Sequence, residues 1–185
     1  MTDIVDIYME CGNFHEAVKK SGLPIHVAHL RLLKSGCLKI QDKICYGSKG
    51  AKLGGQAEEL FQTLVPDAID ANRYFRKNNP VYDFYMEGIT IDVKYSSRRS
   101  NKGIKNGWGI SVRGEQDFIV AFLESAPGRK LENCYVLCIP MAFVDQTQKL
   151  SITEGNVYFK EFMIEPEELQ PMLKEYASLR KEGLF

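Results

Sequence analysis

The sequence predicts an α/β protein in which a small helical module precedes a mixed central sheet flanked by helices. Three observations lead to this prediction. Residues 3–36 hold three short helical patterns with recognisable ends. Residues 81–139 hold several short β-prone runs. After residue 165, a capped amphipathic pattern predicts a closing helix.

The first two predicted helices are recognised by their ends, because Asp and Asn favour helix N-caps and glycine commonly follows a helix C-terminus. Asp3 and Gly12 bound the first helix. Asn13 and Gly22 bound the second, and Glu16 fits a capping box.

The third predicted helix begins at Pro24 and ends at Gly36. Its apolar positions follow a spacing of three and are Val27, Leu30 and Leu33. Residues 37–46 then alternate in a way that predicts two short strands joined by a turn at Asp42-Lys43.

Three helices followed by a small hairpin resemble a winged helix-turn-helix, and the run 13–22 looks like the first helix and glycine turn of such modules. The resemblance implies a DNA-binding module over residues 1–47. The third helix of such modules enters the major groove. The residues implied as DNA contacts are His26, His29, Arg31 and Lys34. A solvated helix face that contacts no DNA is the alternative.

Residues 48–56 are predicted to be a linker, because the stretch 47–56 contains four glycines and two lysines. Residues 57–185 then form a second domain with a C-terminal helix. The first helix of this domain runs to about Leu64, before Pro66, and its buried face is predicted from helical spacing. The residues of that face are Ala57, Leu60, Phe61 and Leu64.

Strands are predicted at 68–76, 108–112, 117–123 and 134–139, in addition to a hairpin around Glu87-Gly88. Residues 145–156 are mostly polar and are assigned no element. The last helix is expected to open at 165–168 and to bury Leu169, Met172, Leu173 and Tyr176.

The hairpin around Glu87-Gly88 brings charged residues together. With these two residues as the loop, Asp83 faces Asp92 across the strands, with Cβ atoms about 4.5–5.5 Å apart. Lys94 lies two residues beyond Asp92 and therefore on the same face. Directly opposed carboxylates destabilise a sheet, so their presence predicts a divalent cation such as Mg²⁺. The Lys94 ammonium beside it could orient a water or stabilise charge developing on phosphorus.

Asp83 followed by Asp92-Val93-Lys94 resembles the PD-(D/E)XK nuclease superfamily, the fold of many restriction enzymes, phage resolvases and repair nucleases. The resemblance spans about residues 55–145. It implies a restriction-endonuclease-like core and a deoxyribonuclease that uses Mg²⁺ or Mn²⁺. It further implies a metal site at Asp83, Asp92 and Val93, with Lys94 positioning water.

The family often carries a Glu on the helix before the hairpin, soon after a glycine, and Gly55 is followed by Glu58 and Glu59. At about 100° per residue, Glu58 lies about 100° from the buried helix face and Glu59 about 200°. Glu58 is therefore the candidate third carboxylate, with Glu59 in reserve. The pair Pro66-Asp67 is set aside as the family's first carboxylate, because it ends a helix and has no hairpin to reach Asp92.

The stretch 94–113 holds six basic residues and no acidic one, although Lys plus Arg equal Asp plus Glu over the whole chain. Lysine and arginine contacts to phosphates supply most non-specific affinity for nucleic acid. The residues beyond Lys94 that are predicted to contact DNA are Arg98, Arg99, Lys102, Lys105 and Arg113. A solvated loop without a ligand is the alternative.

Other features of the chain exclude some classes of protein. The five cysteines have no CxxC pair, which favours reduced thiols over a zinc site. We find no signal-peptide pattern, no apolar run long enough to span a bilayer, no P-loop and no Gly-x-Ser-x-Gly. Cytoplasmic location is the default expectation.

The sequence therefore favours a metal-dependent endonuclease that acts on duplex or branched DNA. The resemblance implies an enzyme of phage, mobile-element, resolvase or restriction type. It also implies a homodimer, because many members of the family are dimers. One alternative is a DNA-binding regulator with an inactive nuclease-like domain. Another is a structural domain whose carboxylates are satisfied by Lys or Arg. The DNA structure or sequence, the choice between DNA and RNA, and the number of metal ions stay open.

Overall fold

The computed structural model describes residues 3–73, 82–99, 107–112, 115–144 and 149–185, and over these residues the protein is α/β. The helices are α1 (Ile4–Cys11), α2 (Phe14–Ser21), α3 (Ile25–Ser35), α4 (Ile40–Tyr46), α5 (Lys49–Leu64), α6 (Val157–Phe162) and α7 (Leu169–Lys181). The strands are β1 (Ile69–Asp70), β2 (Phe84–Met86), β3 (Ile89–Ser96), β4 (Trp108–Ser111), β5 (Phe118–Leu123), β6 (Tyr135–Pro140), β7 (Lys149–Ile152) and β8 (Met163–Ile164). In this part of the chain, no helix has the length and apolar character to cross a membrane.

A mixed six-stranded sheet lies at the centre, in the order β1-β2-β3-β5-β6-β8. The pair β3 and β5 is parallel, and the other neighbours are antiparallel. Parallel neighbours need a crossover connection. Here the crossover contains β4, which pairs with β7 in a separate two-stranded sheet.

Each face of the central sheet has its own apolar core. On one face, Ile91 and Val93 pack with Phe61 of α5 and Leu173 of α7. On the other face, residues of β5 and β6 pack with Trp108 and the rest of the β4–β7 pair. All of β5 is buried, as expected for a strand covered on both faces.

The helices α1 to α3 form a separate core around Tyr8, Phe14 and Leu32. Their predicted ends are confirmed. The side chains of Asp3 and Asn13 accept hydrogen bonds from the first turns of α1 and α2. The glycines that follow the three helices are all left-handed and are Gly12, Gly22 and Gly36.

The predicted buried face of α3 is wrong. Ala28 and Leu32 are fully buried, whereas Leu30 and Leu33 are 54% and 39% exposed. The helix carries apolar residues around most of its circumference, so spacing alone allows two faces. The small side chain of Ala28 allows the closer approach, and the structure buries that face.

The predicted hairpin over residues 37–46 is also wrong, because residues Ile40–Tyr46 form helix α4. The hairpin that would form the wing of a winged helix-turn-helix is therefore absent from the residues the structure describes. Packing overrides the alternating pattern here. Ile40 contacts the core under the sheet, and Tyr46 stacks on Phe14 with ring centroids 4.5 Å apart.

The predicted linker at residues 48–56 is helical and belongs to α5, which Ser48 caps. The packing of α4 on α5 gives a reason for glycine at position 55. A side chain there would press on Ile40, Lys43 and Ile44 of α4. This glycine lets the two helices approach closely and does not act as a flexible joint. The chain therefore passes from α4 to α5 with only a short turn between them.

Strands β4, β5 and β6 and helix α7 are confirmed. The predicted strand at 68–76 is reduced to β1 followed by a short 3₁₀ turn, and its last residues, 74–76, lie outside the described chain. β7 and α6 lie where no element was predicted. Their apolar residues belong to the core that contains Trp108 or pack against it.

The predicted register of the central hairpin is confirmed, with Phe84, Tyr85 and Met86 opposite Ile91, Thr90 and Ile89. Glu87 and Gly88 both have positive φ, 47° and 99°. This pattern matches a type I′ turn, which has the twist that two-residue hairpins need.

We expect Gly88→Ala to lower the free energy of unfolding by about 1–2 kcal/mol, because an L-residue is strained at positive φ. Glu87→Asn is the matched variant and should stabilise slightly, since Asn tolerates this conformation. Urea denaturation of both variants measures the effect. Unchanged stability in Gly88→Ala would contradict the turn assignment.

Candidate metal centre

Asp83 and Asp92 lie at the end of the hairpin remote from its turn. The Asp83 N–H donates to the Ile91 carbonyl at 2.9 Å, although Asp83 itself precedes β2 by one residue. Its carboxylate Oδ2 accepts the Val93 N–H at 2.8 Å. The side chain of Asp83 thus replaces a main-chain rung of the sheet, which fixes it beside Asp92 on the next strand.

Asp92 is 4% exposed, and its carboxylate pairs with the Lys94 ammonium on the same face of β3. Burial and the nearby Asp83 carboxylate raise the pKa of Asp92 to about 7, against the opposing effect of Lys94. A buried carboxyl with a raised pKa would be stabilised in its ionised form by an additional cation.

Glu58 lies on α5 and is 7% exposed. Both of its carboxylate oxygens accept hydrogen bonds from the Lys43 ammonium, each at 2.9 Å. Burial and Asp83 raise the pKa of Glu58 to about 7, although Lys43 opposes them. Glu59 is exposed and accepts a hydrogen bond from Gln41 instead. Of the two candidates, Glu58 is therefore the one that lies near Asp83.

An open cleft of about 600 Å³ lies beside these groups. Its lining includes Glu58 of α5, Asp83, and Lys94 of β3, and the arginines that follow β3, Arg98 and Arg99. Asp92, which is buried, is not part of the lining. A ligand in the cleft would therefore meet both carboxylates and basic side chains.

The main chain of Val93 also faces this site. Its N–H donates to the Asp83 carboxylate, which ties Asp83 to β3. A metal contact by Val93 stays a prediction.

Among the residues the structure describes, no three Asp, Glu, His or Cys side chains are arranged to hold a metal ion as they stand. Lys43 engages both oxygens of Glu58 in this arrangement, and Lys94 engages Asp92. The carboxylate oxygens present are donors of the kind that Mg²⁺ and Mn²⁺ prefer. In donor chemistry the residues therefore fit a hard divalent cation, which would have to displace an ammonium from Glu58 or Asp92.

The candidate DNA contacts of the basic segment differ in their surroundings. Arg98 is engaged within the protein. Its guanidinium donates to the Ser125 carbonyl at 2.6 Å and to Glu154 at 2.8 Å, and it lies over the Trp108 ring. Arg98 also lines the cleft, and its contact with DNA stays a prediction. Arg99 is exposed and lines the cleft. The remaining candidates lie outside the described residues and are Lys102, Lys105 and Arg113.

The N-terminal candidates also divide into two groups. A ring nitrogen of His29 bonds the Tyr46 carbonyl at 2.7 Å, and the ring packs edge-on against Phe14. His29 therefore joins α3 to α4, and its contact with DNA stays a prediction. The other three are exposed on α3 and are His26, Arg31 and Lys34.

Sequence reasoning missed two charged residues beside the centre, Lys43 and Asp70. Lys43 was assigned to a turn, and only its helical position on α4 directs it at Glu58. Asp70, at the end of β1, is 3% exposed. Its charge raises the pKa of both Lys43 and Glu58. The spacing of Ile40 and Ile44, four residues apart, was the available signal for a helix here.

The raised pKa values predict that the metal-free protein loses stability as pH rises. Burial, together with the charge of Asp83, raises the pKa of Asp92 and of Glu58 in the folded protein above their ordinary values of 3.8 and 4.5. The folded chain thus binds more protons than the unfolded chain between about pH 4 and 7. We expect the free energy of unfolding in EDTA to fall by about 2–4 kcal/mol from pH 5 to pH 8.

Urea denaturation at the two pH values measures this dependence, with Asp92→Asn as the control. The variant should lose about half as much stability over the same interval, since only Glu58 still titrates. Stability that rises with pH in the unsubstituted protein would show that these carboxyls are not destabilised when ionised.

No family model matches the chain, and no curated protein matches it either. The geometry of the cleft therefore carries the functional argument.

Proposed function

We propose that this protein is a metal-dependent endonuclease that hydrolyses DNA phosphodiester bonds in the cleft between α5 and β3. The observation that carries the proposal is the position of Asp83, whose charge acts on two buried carboxylates, Glu58 and Asp92. Three carboxylates in one poorly solvated place are costly without cations. Ionisable groups with strongly shifted pKa values are often found at functional sites, where their unfavourable placement serves binding or catalysis.

The fold supports the finer proposal of a restriction-endonuclease-like core. A mixed central sheet has helices α5 and α7 on one face. The strand β3, which carries Asp92, pairs with β2 in the hairpin on one side and with the parallel strand β5 on the other. The upstream Glu58 comes from the helix that packs under this hairpin. This arrangement is the one that the resemblance to PD-(D/E)XK nucleases implies.

The side chains divide the chemistry between them. Asp83, Asp92 and Glu58 would hold Mg²⁺ or Mn²⁺, which when bound polarises a phosphoryl oxygen and acidifies water. The Lys94 ammonium lies beside Asp92 and is 31% exposed, so it can donate a hydrogen bond to a water or phosphate oxygen in the cleft. Arg99, which lines the same cleft, can contact the phosphate backbone.

The test is cleavage of supercoiled, branched and single-stranded DNA in Mg²⁺, Mn²⁺ or EDTA. We expect metal-dependent nicking or cutting of at least one substrate, and no product in EDTA. DNA binding without cleavage of any of these substrates would contradict the proposal.

The ion pairs that the carboxylates already make favour a second candidate, a DNA-binding protein whose nuclease-like centre is inactive. In that case Lys43 and Lys94 neutralise Glu58 and Asp92 permanently. Binding of DNA that is equal in metal and in EDTA, together with the absence of cleavage, would favour this candidate.

A further inference from the structure

We infer that Lys43 is an internal competitor for the metal, whose ammonium holds Glu58 in the metal-free protein and leaves it when a divalent cation binds. This inference rests on the proposed function, and it assigns a role to a residue outside the motif that suggested that function. It makes Lys43 a positioning residue, because it acts through Glu58.

The contact between Lys43 and Glu58 is symmetrical. The ammonium nitrogen lies 2.9 Å from each carboxylate oxygen, and the two side chains are 17% and 9% exposed. The nitrogen therefore occupies the place on the carboxylate where a cation would bind both oxygens. The carboxylates of Asp83 and Asp70 also stabilise the charge on Lys43, so the ammonium lies among several acidic groups.

The helix that carries Lys43 is anchored on its other side. Asp42 accepts a hydrogen bond from the Tyr8 hydroxyl at 2.5 Å, and that hydroxyl accepts the Lys39 N–H at 2.9 Å. Tyr46 stacks on Phe14. Helix α4 thus presents Lys43 to Glu58 from a fixed position on the N-terminal helices, and this is not a chance surface contact.

The ammonium and a metal ion compete because both are cations that need the same carboxylate oxygens. A divalent cation bound to both oxygens of Glu58 would lie where the Lys43 nitrogen lies, 2.9 Å from each oxygen, and two cations this close repel each other. The flexible lysine stem lets the ammonium withdraw while α4 stays in place.

The test measures Mn²⁺ binding to the full chain by isothermal titration calorimetry without DNA. We expect Lys43→Met and Lys43→Gln to lower the Kd for Mn²⁺ by at least about tenfold, because each removes a positive charge a few ångströms from the ion. Lys174→Met is the matched control, since it removes a lysine paired with Asp67 on the surface outside the cleft. Its Kd should equal that of the unsubstituted protein.

Lys43→Gln keeps a hydrogen-bond donor for Glu58, so it decides the question if Lys43→Met does not fold. An unchanged or higher Kd in the folded variant would overturn the inference, because Lys43 would then support Glu58 as a ligand. Asp83→Asn separates the two proposals. If neither the unsubstituted protein nor the Lys43 variants bind Mn²⁺, or if Asp83→Asn leaves binding unchanged, the metal centre itself is wrong. If binding depends on Asp83 but Lys43 does not affect it, only the inference fails.

Discussion

Replacement of Asp92 by Asn is expected to reduce metal-dependent DNA cleavage by at least about 10³-fold, since Lewis-acid stabilisation of the transition state contributes several kcal/mol and each 1.36 kcal/mol is tenfold in rate. The same change should stabilise the metal-free protein at pH 8 by about 1–2 kcal/mol. Asp92 is 4% exposed and close to Asp83, so ionisation there is unfavourable. The amide of Asn can still donate a hydrogen bond to Asp83.

These two opposite effects distinguish a functional carboxylate from a structural one. Single-turnover cleavage measures the first, and urea denaturation in EDTA measures the second. Asp117→Asn is the matched control, because Asp117 accepts hydrogen bonds from Thr90 and Arg180 outside the cleft. It should lose stability and keep the metal dependence of cleavage. If Asp92→Asn were destabilised and remained active, Asp92 would be a structural residue.

Lys94→Met is expected to lower the single-turnover rate by about 10²–10³-fold, the loss typical for removal of one donor that stabilises transition-state charge. Its affinity for Mn²⁺ should not fall, because the lysine holds no metal and its removal makes the site more negative. Cleavage rates at saturating Mn²⁺, together with calorimetric Kd values, separate the two quantities.

The control for Lys94 is Lys181→Met, which breaks an ion pair with Glu87 at the opposite end of the hairpin. This variant should cleave DNA at the unsubstituted rate. An unchanged rate in Lys94→Met, or a loss that higher Mn²⁺ concentrations restore, would show that Lys94 does not act on the reacting phosphate.

The central hairpin could be predicted from sequence because its turn and its strands give the same answer. Glu87-Gly88 suits a two-residue loop, and the flanking residues alternate in polarity around one register. In the structure that register runs from Met86 to Phe84, and Asp83 lies just beyond it, held to β3 by the bonds of its N–H to Ile91 and of its carboxylate to Val93. Local chemistry therefore determined this part of the site.

The segment 37–56 could not be predicted in the same way, because packing between elements determines it. Alternating apolar residues favoured strands at 37–46, and glycines favoured a linker at 48–56. In the structure both segments are helical. Helix α4 packs closely against α5 at Gly55, where the absence of a side chain makes room for α4. Because Lys43 was expected in a turn and not on a helix, its contact with Glu58 could not be predicted.

The assignment of basic residues to DNA was only partly predictable, because composition does not reveal the partners of a side chain. Arg98 lies in the basic stretch with Arg99, yet Glu154, Ser125 and Trp108 engage its guanidinium. Glu154 is 56 positions away in sequence. Neither this partner nor the bond between His29 and Tyr46 has a signature in the local sequence.

The proposed function depends most on the binding of a divalent cation by Asp83 and Asp92. The most direct measurement is the anomalous difference density of crystals soaked in Mn²⁺. We expect a peak in contact with carboxylate oxygens of both residues, with the Lys43 ammonium no longer on Glu58. Crystals that bind no Mn²⁺ at this place, with both lysine–carboxylate pairs intact, would contradict it.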